Sequence, residues 1–352
     1  MSDHTIPGVG ADGRITLAHG GGGTAMRALI DGVFLRAFSD DPAAPQEDQA
    51  RFAMTDLTAL GDRLALTTDS FVVDPLEFPG GDIGTLAVCG TVNDLAVGGA
   101  RPVALSAAFI LAEGLDLAVV RRIVASMAAC ARAAGVRIVT GDTKVVPRGA
   151  CDGLFVTTTG IGVIRPGCAI SIASGRPGDV VIVNGTLGDH GAAILCARGD
   201  LALDVTLGSD CAPLNGLTEA LLDAVPDVRC MRDATRGGLA GVLTELAEAS
   251  LVTVRIDEVA LPVRPEVAGV CEILGLDPLY LANEGKLAAV VPAAAADVAL
   301  AAMRAHPLGR DAAVIGRLET AASGRSAVHL ANRFGGQRVV SMPSGEQLPR
   351  IC

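Results

Sequence analysis

The stretch Thr67–Ala100, TTDSFVVDPLEFPGGDIGTLAVCGTVNDLAVGGA, decides how the chain is read. RLALTT, from Arg63, reads as a strand that Asp69 ends. FPGGDIG then sets Asp82 behind two glycines at the start of a helix, Ile83–Val97. That helix is apolar almost throughout, yet it carries Asn93 and Asp94. A strand end, a Gly-rich loop and a helix start in succession form the unit at which α/β proteins bind ligands. Asp82 is either a ligand-binding acid or only a helix cap. Asp69 is either a site residue or a turn residue. Asp94 needs a cation or a donor, because a carboxylate in an apolar helix is costly to leave unpaired.

Outward from this stretch the alternation continues. VALSAAFIL reads as a strand, Leu117–Ala134 as a long helix, VRIVTGD as a strand ending at Asp142, and LFVTTTGIGVI as another strand. A second round starts after Arg176-Pro177-Gly178. DVVIVNG, DVRCMRD, VTVRID and KLAAVV are strand-like with helices between them, Asp189–Arg198 among these, and short strands fall within Ala312–Val340. Upstream, residues 1–19 read as a loose arm. HGGGG, His19–Gly23, precedes a helix whose apolar face is Met26, Leu29, Ile30, Val33 and Phe34. Asp40–Asp48 is an acidic, proline-bearing loop. Two β/α rounds in 352 residues predict an α/β (α+β) chain of two domains, 1–165 and 166–341, followed by a tail, 342–352.

Composition narrows the function. Half the residues are apolar and 19% are charged, so a sizeable core is available. With 28 Lys+Arg against 39 Asp+Glu and a net charge of −11, nucleic acid and anionic membranes are poor partners. Aromatics are 3%, which argues against a stacking platform for bases. No segment reads as membrane-spanning, and the N-terminus lacks the features of a signal peptide. The nine cysteines are odd in number and irregularly spaced, with no CxxC, which fits a reducing cytoplasm rather than disulfides or zinc.

Asp69, Asp82, Asp94 and Asp142 together suggest Mg²⁺, a hard cation satisfied by carboxylate and phosphate oxygens. Lys144, two residues after Asp142, adds a charge suited to a phosphoryl group, with Thr143 between them. Gly21, Gly22 and Gly23 expose backbone N–H groups at a helix start, which suits an anion. No GxxxxGK[ST] or GxGxxG after a strand occurs, so neither a P-loop nor a dinucleotide fold is supported. GTLGDHG (Gly185–Gly191), RDATRGGL (Arg232–Leu239) and ANEGKL (Ala282–Leu287) interrupt apolar stretches of the second half. His190 reads as a helix-start residue; Arg236 caps a loop or contacts an anion; Glu284 reads as a base or as a turn residue. The ending, MPSGEQLPRIC, has no packing period and terminates in Cys352. A thiol there is either incidental or a carrier, since an extended run from Met342 spans roughly 35 Å.

Together, HGGGG, the Thr67–Ala100 stretch, TGDTKVVPRGA, GTLGDHGAAIL, RDATRGGL, LANEGKL and the ending PRIC resemble the HypE family of hydrogenase maturation proteins. That family is a branch of the superfamily of aminoimidazole ribonucleotide (AIR) synthetase, selenophosphate synthetase and thiamine-monophosphate kinase. The Asp-rich motifs are shared across the superfamily; PRIC singles out the hydrogenase branch. One departure is Glu77, where the family form has an aromatic. The resemblance implies an AIR-synthase-like fold with an ATP-binding, dimerising N-terminal domain and a mobile tail. It implies that a carbamoyltransferase, HypF, loads Cys352. ATP then drives dehydration of the S-carboxamide to a thiocyanate, which passes to the HypC–HypD complex as the cyanide ligand of hydrogenase iron. On this reading Mg²⁺ sits on Asp69, Asp82, Asp94 and Asp142. The nucleotide contacts Gly21–Gly23, Asp69, Asp82, Thr143 and Lys144. Cys352, Lys144 and Glu284 carry the chemistry. Two rival readings are a superfamily kinase or synthetase acting on a free small molecule, and a nucleotide-sensing scaffold.

Overall fold

The computed structural model describes residues 13–41, 45–199, 207–321, 324–343, 348 and 350–352. Most of the loose arm lies outside the described residues. So do Gly345 and Pro349 of the tail.

A four-stranded sheet runs in the order Arg63–Phe71, Leu154–Ile164, Ala100–Ala112, Arg137–Val146. The first two interfaces are antiparallel and the last is parallel. The helix Ile83–Val97 packs on one face, with Leu117–Ala134 against it. The alternation of Arg63–Phe71 divides its residues between two environments. Thr67 and Asp69 point inward towards the helix, whereas Leu64, Leu66, Thr68 and Ser70 are exposed, Leu66 at 73%.

A seven-stranded sheet runs Gln337–Val340, Ala327–Ala331, Val252–Asp257, Ala313–Thr320, Val180–Val183, Leu287–Val291, Cys230–Asp233. Its pairings are antiparallel except that between Ala327–Ala331 and Val252–Asp257. Gly238–Ser250 buries Leu239, Leu243 and Leu246 against one face. Asn215–Ala224 and Ala296–Ala305 bury Leu217, Leu221 and Met303 against the other. All nine cysteines are free thiols, and Cys89 Sγ lies 3.4 Å from Cys130 Sγ.

Two strands that carry candidate acids outrun their sequence reading. Asp69 lies within Arg63–Phe71 rather than at its end. Asp142 lies within Arg137–Val146, because the parallel ladder continues through Ala108–Asp142 to Ile110–Lys144.

Asn93 explains one of the polar residues in the apolar helix. It is 1% exposed; its Nδ2 donates to the Ala212 carbonyl at 3.1 Å and the Glu284 carbonyl at 3.2 Å. Its Oδ1 accepts the Leu214 N–H at 2.7 Å. This one side chain ties the first domain to two loops of the second. Gly80 makes a second close approach: its φ is +92°, and a Cβ there would stand 2.6 Å from the Ser209 backbone. Asn93→Leu should orphan a buried N–H and two carbonyls. It is expected to cost about 2–4 kcal/mol, read as a lowered midpoint in calorimetry with circular dichroism otherwise unchanged.

Candidate active site

The centre of the site is the turn that leads into the strand Leu287–Val291. Asp210, its side chain 4% exposed, accepts the Glu284 N–H at 3.0 Å, the Gly285 N–H at 3.2 Å and the Lys286 ammonium at 2.9 Å. Burial alone would raise the Asp210 pKa; Lys286 and these donors hold it below the ordinary carboxylate value. Gly285 is required at the turn, since a Cβ would fall 1.9 Å from the Asp210 carbonyl oxygen. The result is a fixed backbone that presents Glu284 into the interior. Glu284 is 2% exposed and its Oε1 has no hydrogen-bond partner. Burial, followed by the charges of Asp210, Asp233 and Asp69, pushes its pKa well up, with Arg236 opposing. These surroundings favour the uncharged carboxyl over the carboxylate.

The chain's last residues dock against this acid. Arg350 sits at φ 55°, and its carbonyl accepts the Asp74 N–H at 3.2 Å and Arg198 Nη2 at 2.9 Å. Its guanidinium lies 3.4 Å from Asp74 and 3.2 Å from Asp152. Ile351 is 5% exposed and packs in the first domain's core. Its carbonyl is 2.8 Å from His190 Nε2. Cys352 follows, partly buried. Burial pushes its thiol pKa far up, the Glu284 charge adds to this, and Arg236 opposes it.

Two acids of the first domain act electrostatically on the same group of residues. Asp94 accepts the Thr67 hydroxyl at 2.7 Å. Asp69 is raised to about 6 by burial and then by Asp94, against Arg236. Asp233, from RDATRGGL, is raised to about 7 by burial, Asp94 and Asp69. Several carboxyls thus face one guanidinium, and their excess negative charge fits a hard cation. Among the described residues, no three His, Cys, Asp or Glu side chains are already arranged as a metal site.

The other expected site residues lie elsewhere. Asp82 caps its helix: Oδ1 accepts the Thr85 N–H at 2.8 Å and the Ser126 hydroxyl at 2.7 Å. Asp142 and Lys144 pair at 3.0 Å on the exposed face of the sheet, opposite to that of Asp69. Asp69 and Asp142 also occupy opposite edge strands, three strand spacings or about 14 Å apart. The structure therefore gathers Asp69 and Asp94, but not Asp82 or Asp142, around Glu284 and Cys352.

Thr143 is buried and lines a cavity of about 610 Å³ between the segment 26–51 and the Arg137–Val146 strand, with Asp142 at its rim. Phe34, Phe38 and Phe109, three of the chain's nine aromatics, line it too, and Phe34 packs against the other two. Gly21–Gly23 are exposed, but the Gly21 N–H donates to the Ala18 carbonyl at 3.4 Å and the Gly22 N–H to Met26 Sδ at 3.3 Å. Sequence reasoning missed Asp210, Ser209 and Asp233. Asp233 stood in a motif already singled out. Asp210 sits in a loop, GSDCAPLNG, whose composition carries no signal beyond a turn.

The two domains and the acid-lined pocket define a class. Models of AIR synthase related proteins match residues 47–164 for the N-terminal domain and 176–329 for the C-terminal domain. Within that class, "Carbamoyl dehydratase HypE" of Rhodobacter capsulatus is 62% identical over 341 residues, covering 97% of this chain and 99% of that relative. A crystal structure of the hydrogenase maturation protein HypE in complex with ATP superposes with a TM-score of 0.90 at 49% identity, over 96% of this chain and 99% of the other. HypE in a HypE–HypF complex superposes with a TM-score of 0.77 at 48% identity, over 80% and 90%. The chain belongs to the HypE family.

The carboxyl cluster has a testable signature. Asp233 is ionised in the unfolded chain above about pH 4 but in the folded protein only above about 7. A raised acid contributes stability that is full below its unfolded pKa and lost as pH rises through the folded one. Asp233→Asn should therefore raise the melting midpoint at pH 8, by the equivalent of about 1–2 kcal/mol, and leave it little changed at pH 4. Melts in EDTA at both pH values check this; an equal effect at both would contradict it.

Proposed function

We infer that this chain uses ATP to dehydrate an S-carbamoyl group on its own Cys352 to a thiocyanate, the source of the cyanide ligand of hydrogenase iron. The observation that carries this reading is the docking of the terminal Cys352 near the buried Glu284, whose Oε1 has no partner, in a HypE-family fold. The atoms balance as Cys–S–C(O)NH₂ + ATP giving Cys–S–C≡N + ADP + phosphate. The amide oxygen, a poor leaving group, departs on the transferred γ-phosphoryl group, and the nitrogen loses both protons. Glu284 is the candidate acceptor of an amide proton. Its raised pKa makes the ionised form a stronger base than an ordinary carboxylate, and Oε1 is free to receive a donor. A kinase acting on a free molecule would leave the docked Cys352 unexplained.

Asp69 and Asp94 would hold Mg²⁺, which would offset the charge of the nucleotide phosphates. The cavity beside Thr143, with Gly21–Gly23 nearby in sequence and Lys144 on the adjoining strand, is the nucleotide site we favour. Lys144 and Asp142 lie too far from Asp69 within one chain to share its phosphates. A homodimer through the exposed sheet face, where Leu64 is 60% exposed, Leu66 73% and Ile110 40%, supports a site completed by a second copy. HypF is the loading partner suggested by the relative's complex; HypC–HypD would take the product. The nine free thiols suit the cytoplasm.

With HypF, carbamoyl phosphate and ATP, the C-terminal peptide should gain a carbamoyl group and then lose one water, read by mass spectrometry. Glu284→Gln should accumulate the carbamoyl form; normal dehydration by this variant would remove Glu284 from the chemistry. Asp94→Asn should weaken ATP turnover by at least tenfold, and full activity would sink the metal assignment; Asp142→Asn, at the cavity beside Thr143, should weaken ATP binding by at least tenfold, and unchanged affinity would sink that nucleotide site. Light scattering should give a dimer at micromolar concentration.

A further inference from the structure

His190 is fully buried, and both of its ring nitrogens have partners. Nε2 lies 2.8 Å from the Ile351 carbonyl, and Nδ1 lies 2.8 Å from Ser209 Oγ. A carbonyl oxygen only accepts, so Nε2 carries the proton and Nδ1 accepts the Ser209 hydroxyl proton. Ser209 Oγ in turn accepts the Cys211 N–H at 3.1 Å. The ring stands edge-on to Phe78, 5.6 Å between centroids at 83°. Burial favours the neutral imidazole, in keeping with this single-proton arrangement.

The bond to the Ile351 carbonyl fixes the peptide plane that enters Cys352. Without it, the tail would still be gripped one residue earlier, at the Arg350 carbonyl, but the last residue could rotate. Ser209 also adjoins Asp210, whose carboxylate sets the Glu284 and Gly285 N–H groups. One dipeptide therefore orients the donor that registers the tail and anchors the turn that presents the acid.

We propose that His190 is a positioning residue for the dehydration step. Its Nε2–H, oriented by Ser209, registers the last peptide so that the group on Cys352 Sγ meets Glu284. The Ser209–Asp210 dipeptide keeps the two in step. His190 touches no reacting atom. The proposal rests on the dehydratase reading for its consequence, but the register itself is measurable without turnover.

The test uses the full chain and three variants. His190→Leu keeps an apolar side chain of moderate size and removes the donor. His190→Gln restores a donor. Ser209→Ala removes the proton that fixes the tautomer. First, N-ethylmaleimide alkylation of Cys352 is followed by the mass of the C-terminal peptide. The rate should rise roughly tenfold in His190→Leu, the worth of one buried hydrogen bond, rise less in Ser209→Ala, and return towards wild type in His190→Gln. Second, single-turnover loss of water from the carbamoylated tail should slow at least tenfold in His190→Leu, while loading by HypF and ATP affinity hold. Wild-type rates in both assays for His190→Leu overturn the proposal. So does an equal loss of loading, ATP binding and dehydration that His190→Gln fails to rescue, because that is general damage. Should His190→Leu not fold, Ser209→Ala decides, and wild-type behaviour in both assays again overturns the register. If the wild-type tail loses no water, the dehydratase reading fails, while the alkylation rates still decide whether His190 holds the tail.

Discussion

The arrangement of the site depends on the carboxylate of Asp210. A buried charge is tolerated only when it is paired and its lone pairs are filled. Asp210 meets that condition with the Lys286 ammonium and two backbone N–H groups. Those donors belong to consecutive residues of the turn 284–286, so satisfying the charge also fixes the backbone beneath Glu284. Asn93 grips the same turn from the other domain through the Glu284 carbonyl. The acid that faces the tail thus stands on a support built from both domains, and a shift between them would move it.

The docked state is electrically quiet where it matters. Glu284 and the Cys352 thiol are both driven towards their neutral forms, first by burial and then by neighbouring carboxylates. A neutral thiol is a poor nucleophile. The inward position therefore disfavours loading of Cys352, which calls for a thiolate in a wetter setting. It suits the later step, for which an uncharged carbamoyl group must enter a buried setting. Burial in this way assigns the two half-jobs of one sulfur to two places.

Much of the fold is legible in the sequence because local period decides it. The helices Ile83–Val97 and Leu117–Ala134 and the strand Leu154–Ile164 appear at their read boundaries, since apolar spacing and caps such as Asp116 are near-neighbour effects. The order of the seven-stranded sheet is not legible, because it is set by contacts between distant segments. The site divides along the same line. Glu284, Asp69, Asp94 and Cys352 stood out as polar residues in apolar or unpatterned surroundings, and they come together. Asp142 and Lys144 stood out equally, but the face they occupy depends on the register with Ala108 and Ile110. Asp82 shows the opposite outcome: its N-terminal position predicts a cap, and its Oδ1 is taken up by Thr85 and Ser126. Asp210 was silent because a lone acid in a loop of glycine, serine and proline looks like any turn.

The contacts on the tail explain how one pocket could accept a sulfur in more than one chemical state. They fall on the Arg350 carbonyl and guanidinium, the Ile351 side chain and the Ile351 carbonyl. All of these lie upstream of the Cys352 side chain. The polar contacts are thus drawn from atoms that stay the same whether the sulfur carries a proton, a carbamoyl group or a nitrile, while the Cys352 side chain itself packs against the first domain's core. Recognition confined to the invariant part of a substrate binds each state alike and leaves discrimination to the reacting end. Here the invariant part is the chain's own backbone. In the proposed reaction the discriminating end is the group on Cys352 Sγ, whose amide N–H would donate to the unpartnered Oε1 of Glu284 and whose nitrile form would not.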